Sequence, residues 1–102
     1  MRIALPVTEG KLARNFSQCE QFVFVDVDLS RGEVKRFEFI DRPDIPEDLL
    51  ARWLLGMCVS FVIAHEIGPQ ARKVFERSRI ELICDAPIVE PHQVISRLTS
   101  YV

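Results

Sequence analysis

Apolar and polar positions divide the chain into segments of different period. RIALPV at 2–7 is almost unbroken apolar sequence and predicts a short buried strand. Pro6 is expected at its end, because proline cannot donate to a central ladder. A polar segment, TEGKLARNFSQCE, follows. QFVFVDVDL at 21–29 and EVKRFEFI at 33–40 then alternate, with Ser30-Arg31-Gly32 between them. They predict two strands joined as a β-hairpin. The alternation slips between Val34 and Phe37, which marks a bulge.

DRPDIPED at 41–48 reads as a connection within one domain. After it the period changes. Leu49, Leu50, Trp53 and Leu54 fall on one helical face, opened by Pro46 and Glu47 and closed by Gly56. VSFVIA at 59–64 is a continuous apolar run of strand length, the pattern of a strand covered on both faces. Gly68-Pro69 opens a second helix with Ala71, Val74 and Phe75 as its stripe. IELIC at 80–84 is a fifth strand. Pro91 opens a last helix running to Val102, with Val94, Ile95 and Leu98 on one face.

The order β-β-β-α-β-α-β-α predicts an α/β domain over residues 1–102. Right-handed crossovers place the first, fourth and fifth strands parallel in the centre. The hairpin extends the sheet on one side, and helices cover both faces. The expected architecture is a three-layer, mixed five-stranded sheet of the ribonuclease-H-like type.

Composition narrows the function classes. At 102 residues and 48% hydrophobic the chain is long enough for one core and too apolar for disorder. Thirteen Lys+Arg against fifteen Asp+Glu give a formal net charge of −2, so nucleic acid is not an expected partner. No apolar run nears the roughly 18 residues of a membrane span. MRIALPVTEG lacks the apolar h-region of a signal peptide. A cytoplasmic location is the expectation. Cys19, Cys58 and Cys84 are odd in number and form no CxxC, which excludes a disulfide framework and a zinc ribbon.

Ligands of open α/β sheets sit beyond the carboxyl ends of the parallel strands. Residues 8–20, 65–69 and 85–90 leave the strands there. They carry Asn15, Gln18, Cys19, Glu20, His65, Glu66 and Asp85, with Cys84 at a strand end. Cys58 falls at the opposite edge. His65 ends an apolar strand just before a helix, where a neutral imidazole can ligate a metal or the residue can simply be solvated. Cys19 is either an exposed thiolate for a soft metal or a small side chain tucked under its loop. Cys84 reads as a structural thiol and His92 as a solvent-facing residue. The helix entered at Gly68 offers free N–H groups to an anion. GxSxG, P-loop and GxGxxG motifs are all missing. The first strand holds no carboxylate for a two-metal nuclease centre.

Three stretches carry a family resemblance over nearly the whole chain. MRIALPV, NFSQCEQFVFVDVD and IAHEIGPQA resemble the dinitrogenase iron–molybdenum cofactor biosynthesis family, small ribonuclease-H-like domains related to nitrogenase cofactor carriers. The second stretch is similar to the family's HFGRAPYF and the strand after it. The third is similar to IAGxIGPNA, with Ile67, Gly68, Pro69 and Ala71 retained. Asn15, Ser17 and Gln18 stand where the family often has His, Gly and Arg. His65 replaces a small residue, and DRPDIPEDLL replaces a Gly-rich approach to the first helix.

The resemblance implies a non-enzymatic accessory or carrier protein for an iron–sulfur or iron–molybdenum-type cluster, with nitrogen fixation as its setting. Its partners would be cluster donor or acceptor proteins. The family's His is a proposed cofactor contact that Asn15 cannot replace directly, so in this reading the ligands are relocated: Asn15, Gln18, Cys19, His65 and Gly68 line the site, with Cys19 and His65 as metal ligands. The alternative is an interaction or regulatory module of the same fold without cofactor binding. Such a module could form a homo-oligomer through the free edge of the hairpin.

Overall fold

The computed structural model describes residues 1–99. Strands β1 (Arg2–Thr8), β2 (Lys11–Leu12), β3 (Gln21–Asp28) and β4 (Glu33–Asp41) precede helix α1 (Glu47–Leu55). Strand β5 (Phe61–Ile63), helix α2 (Pro69–Glu76), strand β6 (Glu81–Ile83) and helix α3 (Pro91–Thr99) follow. The sheet has six strands in the order β4-β3-β1-β5-β6, with β2 pairing β1 off this path. β1, β5 and β6 are parallel, and β3 and β4 run antiparallel. The expected continuation of the last helix through Ser100, Tyr101 and Val102 lies outside the described residues, as does the side chain of Leu98.

The period-2 pattern sorts side chains into two cores. Ala4, Phe22, Phe24 and Val62 face α1 and α2, packing with Leu50, Leu54, Ala71 and Phe75. Ile3, Leu5, Val7, Val23, Val25 and Ile63 face α3, packing with Val94 and Ile95. Helices therefore lie on both faces of the sheet, α1 and α2 on one and α3 on the other. Edge-on aromatic contacts tie the first core together. Phe16 lies 5.6 Å from Phe22 and 5.7 Å from Phe75, both as T-shaped pairs.

Five expectations are corrected. A sixth strand is present because Glu9 (φ 52°) and Gly10 (φ 78°) form a two-residue turn with both φ positive. That geometry closes a tight hairpin, pairing Val7 with Leu12 and Thr8 with Lys11. The parallel trio is not wholly central, since β6 is an edge. Leu49 is exposed. The buried face of α1 is Leu50, Ala51 and Leu54, rotated towards Ala51. β5 and β6 are three residues each, shorter than their apolar runs.

Pro6, lastly, lies inside β1. Met1 and Val27 exchange backbone bonds at 3.1 and 2.8 Å, so odd residues of β1 point to β3. The Pro6 nitrogen therefore points to the β5 side, where the paired register ends at Ala4↔Val62. No ladder donor is needed there, and the Pro6 carbonyl accepts from Ala13 N–H at 2.8 Å. The expected bulge is present. Asp26 pairs with Arg36 and Val27 with Val34, leaving Lys35 as the extra residue.

Candidate functional site

Three connections meet beyond the carboxyl ends of β1, β5 and β6, and main-chain bonds lace them together. Phe16 N–H donates to Glu66 O (2.9 Å), and Glu66 N–H donates to Arg14 O (3.1 Å). Asp85 N–H donates to His65 O (2.9 Å), and Leu12 N–H to Val89 O (2.9 Å). Asp85 adopts φ 61°, a left-handed conformation that aspartate tolerates better than most residues. It turns the chain out of β6 into the mouth. Phe16, fully buried beneath this mouth, anchors the first loop to the core.

His65 is half-buried at the end of β5. Its Nδ1 lies 3.0 Å from the Ala86 carbonyl oxygen. A carbonyl can only accept, so Nδ1 carries the proton. In the neutral ring Nε2 then presents its lone pair. Metal-ligating histidines are commonly fixed in this way, by a second hydrogen bond from the other ring nitrogen.

Cys19 behaves differently from the expected exposed thiolate. It is 5% exposed, within the core beneath α1 and α2. Burial pushes its thiol up to about 11, outweighing the opposing pull of the Arg42 charge. The thiol is thus neutral at physiological pH and shielded from a ligand in the mouth. The physical reason is the short 3-10 turn at Phe16–Gln18, which draws residues 16 and 19 inwards and leaves Gln18 exposed. Arg42 clamps this turn by donating to the carbonyls of Ser17 (3.1 Å), Pro43 (2.8 Å) and Ile45 (3.0 Å).

Asn15 caps the same turn. Its Oδ1 accepts from Ser17 N–H (3.1 Å) and Ser17 Oγ (2.9 Å). Its backbone bridges Glu66, so it is a structural part of the rim. Gly68 precedes α2, whose first turn was expected to be open to an anion. Instead Glu47 of α1 sits there, its Oε2 accepting from Ala71 N–H at 3.3 Å. A Cβ on Gly68 would collide with that carboxylate. Gly68 therefore admits the chain's own anion.

Two residues gain weight from the structure. Cys84 is half-buried at the end of β6, and Arg72 of α2 donates towards its Sγ at 3.5 Å. Glu47 had no sequence signal beyond its place in the first turn of α1. A shallow depression of about 270 Å³ opens beside Cys84, between Ile83, Asp85, Pro87 and Val94. His92 faces solvent beside Glu90 (3.3 Å), and Cys58 is exposed before β5. Among the described residues no three His, Cys, Asp or Glu side chains gather as a cage for a metal ion. Protein-held iron–sulfur clusters ordinarily take four side-chain ligands, so His65 could supply only one of them.

A mixed sheet between helix layers, with a loop-built mouth at a strand-order switch, places the molecule among small α/β binding domains. The chain belongs to the dinitrogenase iron-molybdenum cofactor family, whose model matches residues 1–101. An uncharacterised Methanocaldococcus jannaschii protein is 31% identical over 87 residues, covering 80% of this chain and 72% of that one. A crystal structure of a dinitrogenase candidate from the same species superposes with a TM-score of 0.82 at 22% identity, over 99% of this chain and 89% of that one. The apo form of the orange protein from Desulfovibrio gigas superposes with a TM-score of 0.77 at 18% identity, over 98% and 88%. The two solved structures establish a shared fold.

Proposed function

We propose that this protein is a non-enzymatic accessory or carrier protein of ribonuclease-H-like topology that holds an iron–sulfur or iron–molybdenum-type cluster as cargo. The cluster passes between donor and acceptor proteins in the cytoplasm, in nitrogenase cofactor assembly or a related metal pathway. Family membership supports the setting. The single observation that carries the site is His65, half-buried after β5, with Nδ1 committed to Ala86 O so that Nε2 holds the lone pair of the neutral ring. Imidazole suits iron, and a cluster held through His65 would take its remaining terminal ligands from small thiols or from a partner protein. Asn15 and Gln18 shape the rim, Gly68 lies at the start of α2 against Glu47, and Cys84 lies beside Arg72 at the end of β6. Cys19 supports the loop from within the core. No described helix is long and apolar enough to cross a membrane.

Anaerobic reconstitution with ferrous iron and sulfide tests this. After gel filtration, wild type should retain iron with visible charge-transfer absorbance. His65→Ala should lose it, and Cys19→Ala should keep it. Equal iron in wild type and His65→Ala, both folded by circular dichroism, would overturn the site.

A second reading, an interaction or regulatory module without cofactor binding, has one observation in its favour. Glu47 already occupies the helix end that an anionic cluster would use. If neither wild type nor Glu47→Ala retains iron, this reading replaces the first.

A further inference from the structure

β4 is a nine-residue edge strand, and its sequence is complementary to a second copy of itself. It contains no proline, and every residue from Glu33 to Phe37 is exposed, as are Phe39 and Asp41. Val27 bonds to Met1 across β1, so Phe22, Phe24 and Asp26 of β3 turn their backbone groups towards β4. Their partners there are Ile40, Glu38 and Arg36. The N–H and C=O groups of Phe37 and Phe39 therefore point to the open side. Open edge ladders are templates for another strand, and the bulge at Lys35 limits this one to the residues that follow it.

The side chains say which strand. Phe37 and Phe39 stand on the α3 side of the sheet, 38% and 51% exposed, with rings 6.5 Å apart. They continue the face of Val25 and Val23 and line a shallow depression with Gly10, Glu90, Pro91 and His92 at the start of α3. Arg36 and Glu38 stand on the opposite side, their ion pair at 3.6 Å largely in solvent.

We infer that two copies of this chain associate through β4, antiparallel about a twofold axis at Phe37, into one continuous sheet. In that register Phe37 meets its twofold mate, and Arg36 of each copy faces Glu38 of the other. Phe39 lies against Lys35 and adds its ring to the aromatic cluster. Charge selects this register. A shift of two residues one way sets Arg36 against Arg36, and the other way Glu38 against Glu38. Glu33 against Asp41, together with the bulge at Lys35, ends the ladder on each side.

Sedimentation velocity over a range of concentrations tests the pairing without reference to metal. Wild type should show concentration-dependent mass approaching two chains. Arg36→Glu and Glu38→Arg should each weaken self-association by about tenfold or more, because each turns two attractive cross-strand pairs into repulsive ones. Both changes are on the surface, and circular dichroism should match wild type. Mixing the two variants should restore a dimer, since one then carries two acidic and the other two basic residues at these positions. A wild type that stays monomeric at its highest soluble concentration overturns the inference. So does a dimer indifferent to both reversals.

Discussion

Phe16 shows how one side chain holds the mouth in place. It is fully buried, contacts two other rings edge-on, and its own N–H bonds Glu66 across the mouth. Phe16→Ala should cost about 3–5 kcal/mol in denaturant unfolding. Cys19, buried beside it, gives a pH signature. Its thiol ionises near 9.0 when unfolded and near 11 when folded. Below pH 9 both states hold the proton and nothing is gained or lost. Between these values the unfolded state releases it first, so stability falls as pH rises, and the loss levels off above about 11. Thermal melts from pH 8.5 to 11 should show a steeper fall for wild type than for Cys19→Ala. Native Cys19 should also react with alkylating reagents far more slowly than exposed Cys58. His65 and Cys19 were both visible as candidates in the sequence. Only the fold separates them, because a turn of three residues decides which side chain goes inside.

At the scale of elements, what the sequence revealed depended on the kind of force that fixes each one. Hydrophobic period located β1, the β3–β4 hairpin, its bulge and all three helix starts, since each is set by local pattern or by proline. The β2 hairpin was hidden inside a polar segment. Its only local signal was Gly10, which takes positive φ freely, followed by a buried Leu12; Glu9 at φ 52° is held there by the hairpin. Pro6 misled because the rule against proline in a ladder depends on which way its nitrogen points, a tertiary fact. The seating of Glu47 on α2 was equally out of reach. It joins residues 24 positions apart and depends on how α1 and α2 pack. Glu47→Ala should remove that cap and cost about 1 kcal/mol by urea unfolding. Glu47→Gln should cost less, since an amide oxygen can still accept from Ala71 N–H.

The whole molecule is a sheet covered unevenly. α1 and α2 close one face, α3 packs on β1, β3 and β5 of the other, and Phe37 and Phe39 of β4 stay partly exposed beside its first turn. Cargo binding is read by iron retention and self-association by sedimentation, so the two can be tested separately. The central claim is that His65 offers Nε2 to a cluster. Long-range proton–nitrogen NMR of the histidine rings measures this directly, with His92 as the solvent-facing reference. The account predicts that the neutral form of the His65 ring carries its proton on Nδ1, and that its Nε2 resonance disappears or shifts when the protein is loaded anaerobically with iron and sulfide. A ring protonated at Nε2, or an Nε2 resonance unchanged on loading, would contradict it.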